Sequence, residues 1–318
     1  MPEKVLVTRE IPEAGLRPLE DFDVRVLSEA PPERDGLLEA ARGAEGVLST
    51  VTETIDGEFM DAAGAGLKVV ANLAVGYDNV DVEAANERGV IVTNTPGVLD
   101  ETTADVAFML LLAAARRLGE SERVLRAGNW EWWGPKLFMG PDVWGKKLGI
   151  VGLGRIGQAV ARRAKGFDMD LLYHNRSRKE EAEKELGARF VELDEMLETA
   201  DFVTIHTPLT DETYHLMGEA ELGKMKSEAV LVNTSRGPVV DEDALADALA
   251  EGRIFAAGLD VYEEEPKVHP KLLELENVVL APHIGSGSIE TRNKMAALAA
   301  ENLAAVLRGE QPRTPVNR

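Results

Sequence analysis

Cysteine is absent from all 318 residues. Its absence excludes disulfides, thiolate-ligated zinc, iron–sulfur clusters and a cysteine nucleophile, and no metal site is expected. Positive charge is scarce: 35 Lys and Arg stand against 56 Asp and Glu, a formal net charge of −21. So acidic a chain lacks the basic face on which phosphate neutralisation depends, which argues against a nucleic-acid partner. Long apolar runs are missing as well. The longest, residues 106–115, is closed off by Asp105 and Arg116; it is too short to cross a bilayer and reads as a buried helix. Met1-Pro2-Glu3-Lys4 leads straight into a strand-like stretch without a secretory signal, so a cytoplasmic location without membrane contact is expected. Aromatic residues make up 5% of the chain, yet all four tryptophans (Trp130, Trp132, Trp133, Trp144) fall in one Gly- and Pro-containing tract. That tract reads as a loop, either pinned to the core or meeting a second subunit or substrate.

What is present is enough apolar sequence, 44%, and enough length for two domains with cores of their own. Short β-rich runs at 5–7, 47–50, 69–71 and 90–92 alternate with helical spacing at 36–42 and 82–87. A long helix, apolar on nearly every side, is expected from about 101 to 118. A second series follows, with strands expected at 148–151, 171–173, 202–205, 229–232, 256–259 and 278–280, and a closing amphipathic helix at 289–307. This alternation indicates an α/β fold, two parallel-sheet domains with crossover helices. Two acidic stretches, 180–201 and 241–251, read as solvated helical faces.

Gly152-Leu153-Gly154-Arg155-Ile156-Gly157 follows one expected strand and opens a helix. In that context the first glycine permits a tight turn, the second lets backbone approach a pyrophosphate, and the third lets helix and strand pack closely. The helix N-terminus supplies N–H groups and positive dipole to the phosphates. The next strand ends His174-Asn175-Arg176-Ser177-Arg178, where a site for the ribose 2′-hydroxyl would carry a carboxylate. Arginine forks and a hydroxyl suit a 2′-phosphate instead, so NADPH is expected to be preferred, with NADH use possible.

Three further strand ends carry reactive side chains, and the C-terminal ends of parallel strands are where such sheets bind ligands. They are Asn233-Thr234-Ser235-Arg236-Gly237, Asp260-Val261-Tyr262-Glu263-Glu264-Glu265-Pro266, and Pro282-His283-Ile284-Gly285. Taken alone, His283 reads as a packed structural histidine and the three glutamates as a solvated turn. Spacing does not show whether Arg, Glu and His meet.

These residues, with Asn94-Thr95-Pro96-Gly97, resemble the D-isomer-specific 2-hydroxyacid dehydrogenases over essentially the whole chain. The 72–79 segment, the tryptophan tract and the carboxylate-free Asn-Arg-Ser-Arg turn are most similar to the glyoxylate/hydroxypyruvate reductases. The resemblance implies a Rossmann-like dinucleotide domain at 100–286, inserted into a discontinuous substrate domain of 1–99 and 287–318. It further implies that two helices link the domains and that substrate and nicotinamide lie in the cleft between them. It implies that Arg236 binds the carboxylate of a small 2-oxo acid, aided by the Val75 and Gly76 N–H groups. It implies His283 as the general acid and a substrate contact, and Glu265, the Glu immediately before Pro, as the group that fixes the tautomer of His283 and favours imidazolium. Cofactor contacts are implied for Thr103, Gly152, Leu153, Gly154, Arg155, Ile156, Gly157, Asn175, Arg176, Ser177, Thr234, Ser235, Arg236, Asp260, His283 and Gly285, with Arg178 a further phosphate candidate. Asp260 is implied as acceptor for the nicotinamide carboxamide. A homodimer through the coenzyme domains is implied as well. The alternatives are a phosphoglycerate or D-lactate type of the same family, or a dinucleotide-sensing binding protein like its corepressor relatives. A formate dehydrogenase is disfavoured, since that branch resembles Gln at position 265.

Overall fold

The computed structural model describes residues 2–317. The chain forms two compact units, one built from residues up to 99 together with those from 287 onward, the other from residues 100–286.

The first unit has a five-stranded parallel sheet in the order β2-β1-β3-β4-β5. Its strands are β1 (Lys4–Val7), β2 (Asp23–Val26), β3 (Gly46–Ser49), β4 (Val69–Asn72) and β5 (Ile91–Thr93), and its crossover helices α1 (Arg34–Ala41), α2 (Gly57–Ala63) and α3 (Val82–Glu87). β3 and β4 are buried along their whole length, as strands covered on both faces should be. β2 and α2 are absent from the expectation above. β2 is a mostly exposed four-residue edge strand, too short and too polar to give a burial pattern. α2 opens on Gly57, a poor helix former, and is started by its cap: the Asp56 side chain accepts from the Phe59 N–H.

The second unit has a seven-stranded parallel sheet ordered β12-β11-β10-β9-β6-β7-β8. Its strands are β6 (Lys147–Val151), β7 (Asp170–His174), β8 (Arg189–Phe190), β9 (Phe202–Ile205), β10 (Val230–Asn233), β11 (Ala256–Leu259) and β12 (Val278–Leu280). Its helices are α4 (Asp100–Ala115), α5 (Leu118–Arg126), α6 (Arg155–Lys165), α7 (Glu180–Leu186), α8 (Leu193–Thr199), α9 (Glu219–Leu222), α10 (Glu242–Ala250) and α11 (Pro270–Glu274). Alternate residues feed two cores. Leu148, Ile150, Val230 and Val232 join α4 and α6 on one face. Val151, Leu231, Val203 and Ile205 join α8 and α10 on the other. That is the period-2 signature of a strand buried twice. The expected helix to 118 is shorter: α4 stops at Ala115, and Arg117 sits at φ 49° before α5 begins. A left-handed non-glycine residue costs about 1–2 kcal/mol. Here the two-pronged pairing of Arg117 Nε and Nη2 with Glu120, at 2.6 and 2.7 Å, offsets part of it.

α12 (Ile289–Leu307) belongs to the first unit, where Leu303 and Leu307 lie over Gly46 of β3. Beyond it the Val316 N–H donates to the Val92 carbonyl, and Asn317 Oδ1 accepts from the Val92 N–H. No helix among the described residues is long and apolar enough to cross a membrane.

Candidate active site

Strands β10, β11 and β12 are neighbours in the second sheet, so their C-terminal ends deliver Arg236, Glu265 and His283 to one edge. The gathering is done by backbone. Asn233 folds the turn after β10: its Oδ1 accepts from the Ser235 N–H and hydroxyl, and its Nδ2 donates to the Arg236 carbonyl. Gly237 then lets this turn lie against the next one, because a Cβ there would stand 1.9 Å from the Tyr262 carbonyl carbon. No side chain fits at that distance.

After β11, Glu265 is held by the Tyr262 N–H on one oxygen (3.0 Å), and its other oxygen meets His283 Nδ1 at 2.7 Å. Burial pushes the Glu265 carboxyl up. The His283 hydrogen bond and charge, the Tyr262 N–H and the Arg236 charge outweigh it and hold the group below the usual glutamate value. Glu265 therefore stays an anion and fixes which ring nitrogen of His283 faces away. The neighbouring Glu263 does something else. It accepts from the Glu242 N–H at the start of α10 and lies 3.2 Å from His215 Nε2.

His283 has φ 53°, a conformation that costs a histidine about 1–2 kcal/mol. Asp260 supplies the compensation. Its two carboxylate oxygens accept the Ile284 and Gly285 N–H groups, each at 2.7 Å, and its carbonyl accepts the His283 N–H. Hydrogen bonds to a charged acceptor contribute roughly 1.5–3 kcal/mol each, so the clamp outweighs the strain. Sequence reasoning had cast Asp260 as a cofactor contact and missed this positioning role. Burial pushes its carboxyl above the usual aspartate value, against the pull of the Ile284 and Gly285 N–H groups and the His283 charge.

At the glycine turn, Gly152 has φ 99°, and a Cβ on Gly157 would lie 2.2 Å from the Gly152 carbonyl oxygen. A Cβ on Gly154 would meet nothing within 4 Å. The backbone there faces open space, as a pyrophosphate cradle requires. The Thr207 and Thr234 hydroxyls, at the ends of β9 and β10, are buried without hydrogen-bond partners among the described residues. Buried hydroxyls are normally satisfied; two such orphans at strand ends fit a polar ligand. The residues present thus suit a dinucleotide. Thr103 is buried on α4, next to the Gly285 and Asp260 turn. Three expected contacts are engaged internally. The Leu153 N–H donates to Asn175 Oδ1, and Arg178 pairs with Glu183. Arg176 and Ser177 are exposed.

Val75 and Gly76, in the first unit, follow β4. The Ala74, Val75 and Gly76 carbonyls accept from the Thr95 N–H, Asn94 Nδ2 and Asn72 Nδ2. The turn is fixed through its acceptors, which leaves its Val75 and Gly76 N–H groups available.

The tryptophan tract is not pinned to this chain's core: Trp130, Trp132, Trp133 and Trp144 are 54–77% exposed. The two acidic stretches are not wholly solvated either, since Glu242 is buried and the Glu183 side chain is 15% exposed.

The fold and these strand-end groups define a dehydrogenase class. A profile of the NAD binding domain of D-isomer specific 2-hydroxyacid dehydrogenases matches residues 108–285, and the chain belongs to that family. It is a glyoxylate reductase-like, NAD(P)-dependent oxidoreductase. Glyoxylate reductases from Korarchaeum cryptofilum and Thermococcus onnurineus are each 54% identical to it, with 100% of this chain and 97% of the relative covered. A solved NADPH-dependent glyoxylate/hydroxypyruvate reductase from Sinorhizobium meliloti, in complex with NADP and malonate, is similar at 38% identity. Its TM-score is 0.87, with 99% of this chain and 97% of that one covered.

Proposed function

We propose that the protein is a cytoplasmic, NADPH-preferring reductase of small 2-oxo acids, glyoxylate and hydroxypyruvate foremost. Residues 100–286 form its dinucleotide domain and the remainder its substrate domain. The observation that carries the chemistry is the His283–Glu265 pair at 2.7 Å, on the sheet edge that also presents Arg236. His283, with its free ring nitrogen, donates a proton to the carbonyl oxygen of the substrate. Glu265 stabilises the imidazolium and returns it to one tautomer. Arg236 binds the substrate carboxylate through its planar, permanently charged fork and helps to polarise the carbonyl.

The reduced nicotinamide, when bound, supplies the hydride. The 152–157 turn would hold its pyrophosphate, Asn175, Arg176 and Ser177 its 2′-phosphate, and Thr103, Thr234, Ser235, Asp260 and Gly285 its nicotinamide side. NADPH preference is supported by the absence of a carboxylate from 174–178 and by the NADPH-dependent Sinorhizobium meliloti relative.

Cofactor oxidation measured in parallel with glyoxylate, hydroxypyruvate, pyruvate and phenylpyruvate tests this reading. The expected result is the highest kcat/KM on the two smallest hydroxylated or unsubstituted acids, and a higher value with NADPH than with NADH. A preference for NADH removes the cofactor assignment, and a preference for phenylpyruvate removes the substrate assignment.

A homodimer through the second unit accounts for its exposed apolar surface. The four tryptophans, Leu118 and Leu125 are exposed, near in sequence to a groove of about 650 Å³ whose lining includes Phe108, Met109, Leu112 and Phe167. Patches of this kind mark protein contacts. Light scattering that returns the mass of a single chain would exclude the dimer.

A further inference from the structure

The turn that follows β7 holds two arginines, and the structure treats them differently. Arg178 is locked. Its Nε and Nη2 donate to the two oxygens of Glu183 at 3.0 and 2.7 Å, and its guanidinium lies 5.8 Å from the Phe190 ring centroid. Glu183 is itself fixed from below. The hydroxyl of the fully buried Tyr173 donates to Glu183 Oε1 at 2.5 Å, and the Lys179 N–H donates to that hydroxyl. The pairing with Arg178, followed by the Tyr173 hydrogen bond, holds the Glu183 carboxyl down at about 2, so the anion persists at any working pH. Arg176, by contrast, is exposed and makes no salt bridge among the described residues.

A bidentate ion pair presents almost no net charge to a third group. To meet a phosphate, Arg178 would have to leave Glu183 and expose that carboxylate to the same phosphate. Coulomb attraction and repulsion would then nearly cancel. We propose that Glu183 is a positioning residue that sets the cofactor ratio: it withholds Arg178 from the 2′-phosphate, so that Arg176 is the one arginine of the turn left to discriminate NADPH from NADH. This rests on the reading that the 2′-phosphate sits at the 175–177 turn. The same pairing would let a turn with two arginines and no carboxylate at 174–178 admit NADH as well, because half of its positive charge is cancelled from the first turns of α7.

The test is calorimetric titration of the full-length protein with NADPH and, separately, NADH. Glu183→Gln keeps an oxygen acceptor for the Tyr173 hydroxyl but removes the charge. It is expected to tighten NADPH by about five-fold, the order expected for one added charge facing a phosphate through solvent, and to leave NADH unchanged. The gain must vanish in Glu183→Gln/Arg178→Ala. Arg178→Ala alone is expected to weaken NADPH by less than about two-fold, for the same reason, and it serves as the independent variant should Glu183→Gln fold poorly. A large loss of NADPH affinity in Arg178→Ala, no tightening in Glu183→Gln, or tightening that survives the double substitution overturns the proposal. Arg176→Ala separates this from the underlying reading. If it weakens NADPH and spares NADH, the phosphate site stands whatever Glu183 does. If it spares both, the phosphate site falls and the role of Glu183 falls with it.

Discussion

His283→Ala is expected to lower kcat by about 10²–10⁴-fold, the usual contribution of a positioned general acid, while the dissociation constant for NADPH changes little. In the proposed mechanism the imidazole gives the carbonyl oxygen its proton, and the backbone of His283, rather than its ring, ties it to the Asp260 turn. Removing the ring therefore deletes the proton donor and leaves the turn closed. Glu265→Gln should cost less. The amide can still accept from Nδ1 but withdraws the negative charge beside the ring, so a loss in kcat smaller than that of His283→Ala is expected. Single-turnover measurements with preformed NADPH complex isolate the chemical step. Wild-type turnover in His283→Ala would strike His283 from the mechanism.

The second large effect belongs to Arg236. A carboxylate held by a guanidinium fork is held in the ground state and in the transition state, where negative charge also grows on the neighbouring oxygen. Arg236→Ala should therefore raise KM and lower kcat together, for a combined loss in kcat/KM of about 10²–10³-fold if two charge-assisted hydrogen bonds disappear. Arg236→Lys restores the charge but not the fork, and should recover only part of the loss. A KM effect alone would reduce Arg236 to a binding residue; no effect on either constant would dismiss it.

The parts of this structure that could be read from sequence are those where chemistry and periodicity coincide. The 152–157 turn was legible because glycine is the only residue that tolerates both the left-handed Gly152 backbone and the contact at Gly157. The three reactive strand ends were legible as separate points. Their union required the sheet order, since β10, β11 and β12 become neighbours only when the sheet is assembled. The break at Arg117 gave no signal, because arginine ordinarily continues a helix and the left-handed backbone is sustained by a local ion pair. The positioning roles of Asp260 and Glu183 gave no signal for a related reason: each holds another residue through hydrogen bonds that no linear pattern encodes.

The Asp260 clamp also bears on how acid acts on the molecule. A buried aspartate with a raised folded-state pKa takes up its proton at higher pH than an ordinary one. Folding strengthens its hold on that proton, so its neutralisation favours the folded chain. Glu53, Asp201 and Glu265 have the opposite sign: their folded values are depressed, and the stability they contribute is lost only as pH falls through those values. Protonated Asp260 turns one acceptor into a donor that faces the Ile284 or Gly285 N–H, so the restraint on the left-handed His283 is weakened even though the folded chain as a whole is not. In a pH titration read both by reductase assay and by far-ultraviolet circular dichroism, activity should vanish reversibly at a higher pH than helix content; coincident curves would contradict this. On this reading His283 is mounted on a release that should trip while the scaffold is still intact, so that acid inactivation is expected to be a local event before it is a global one.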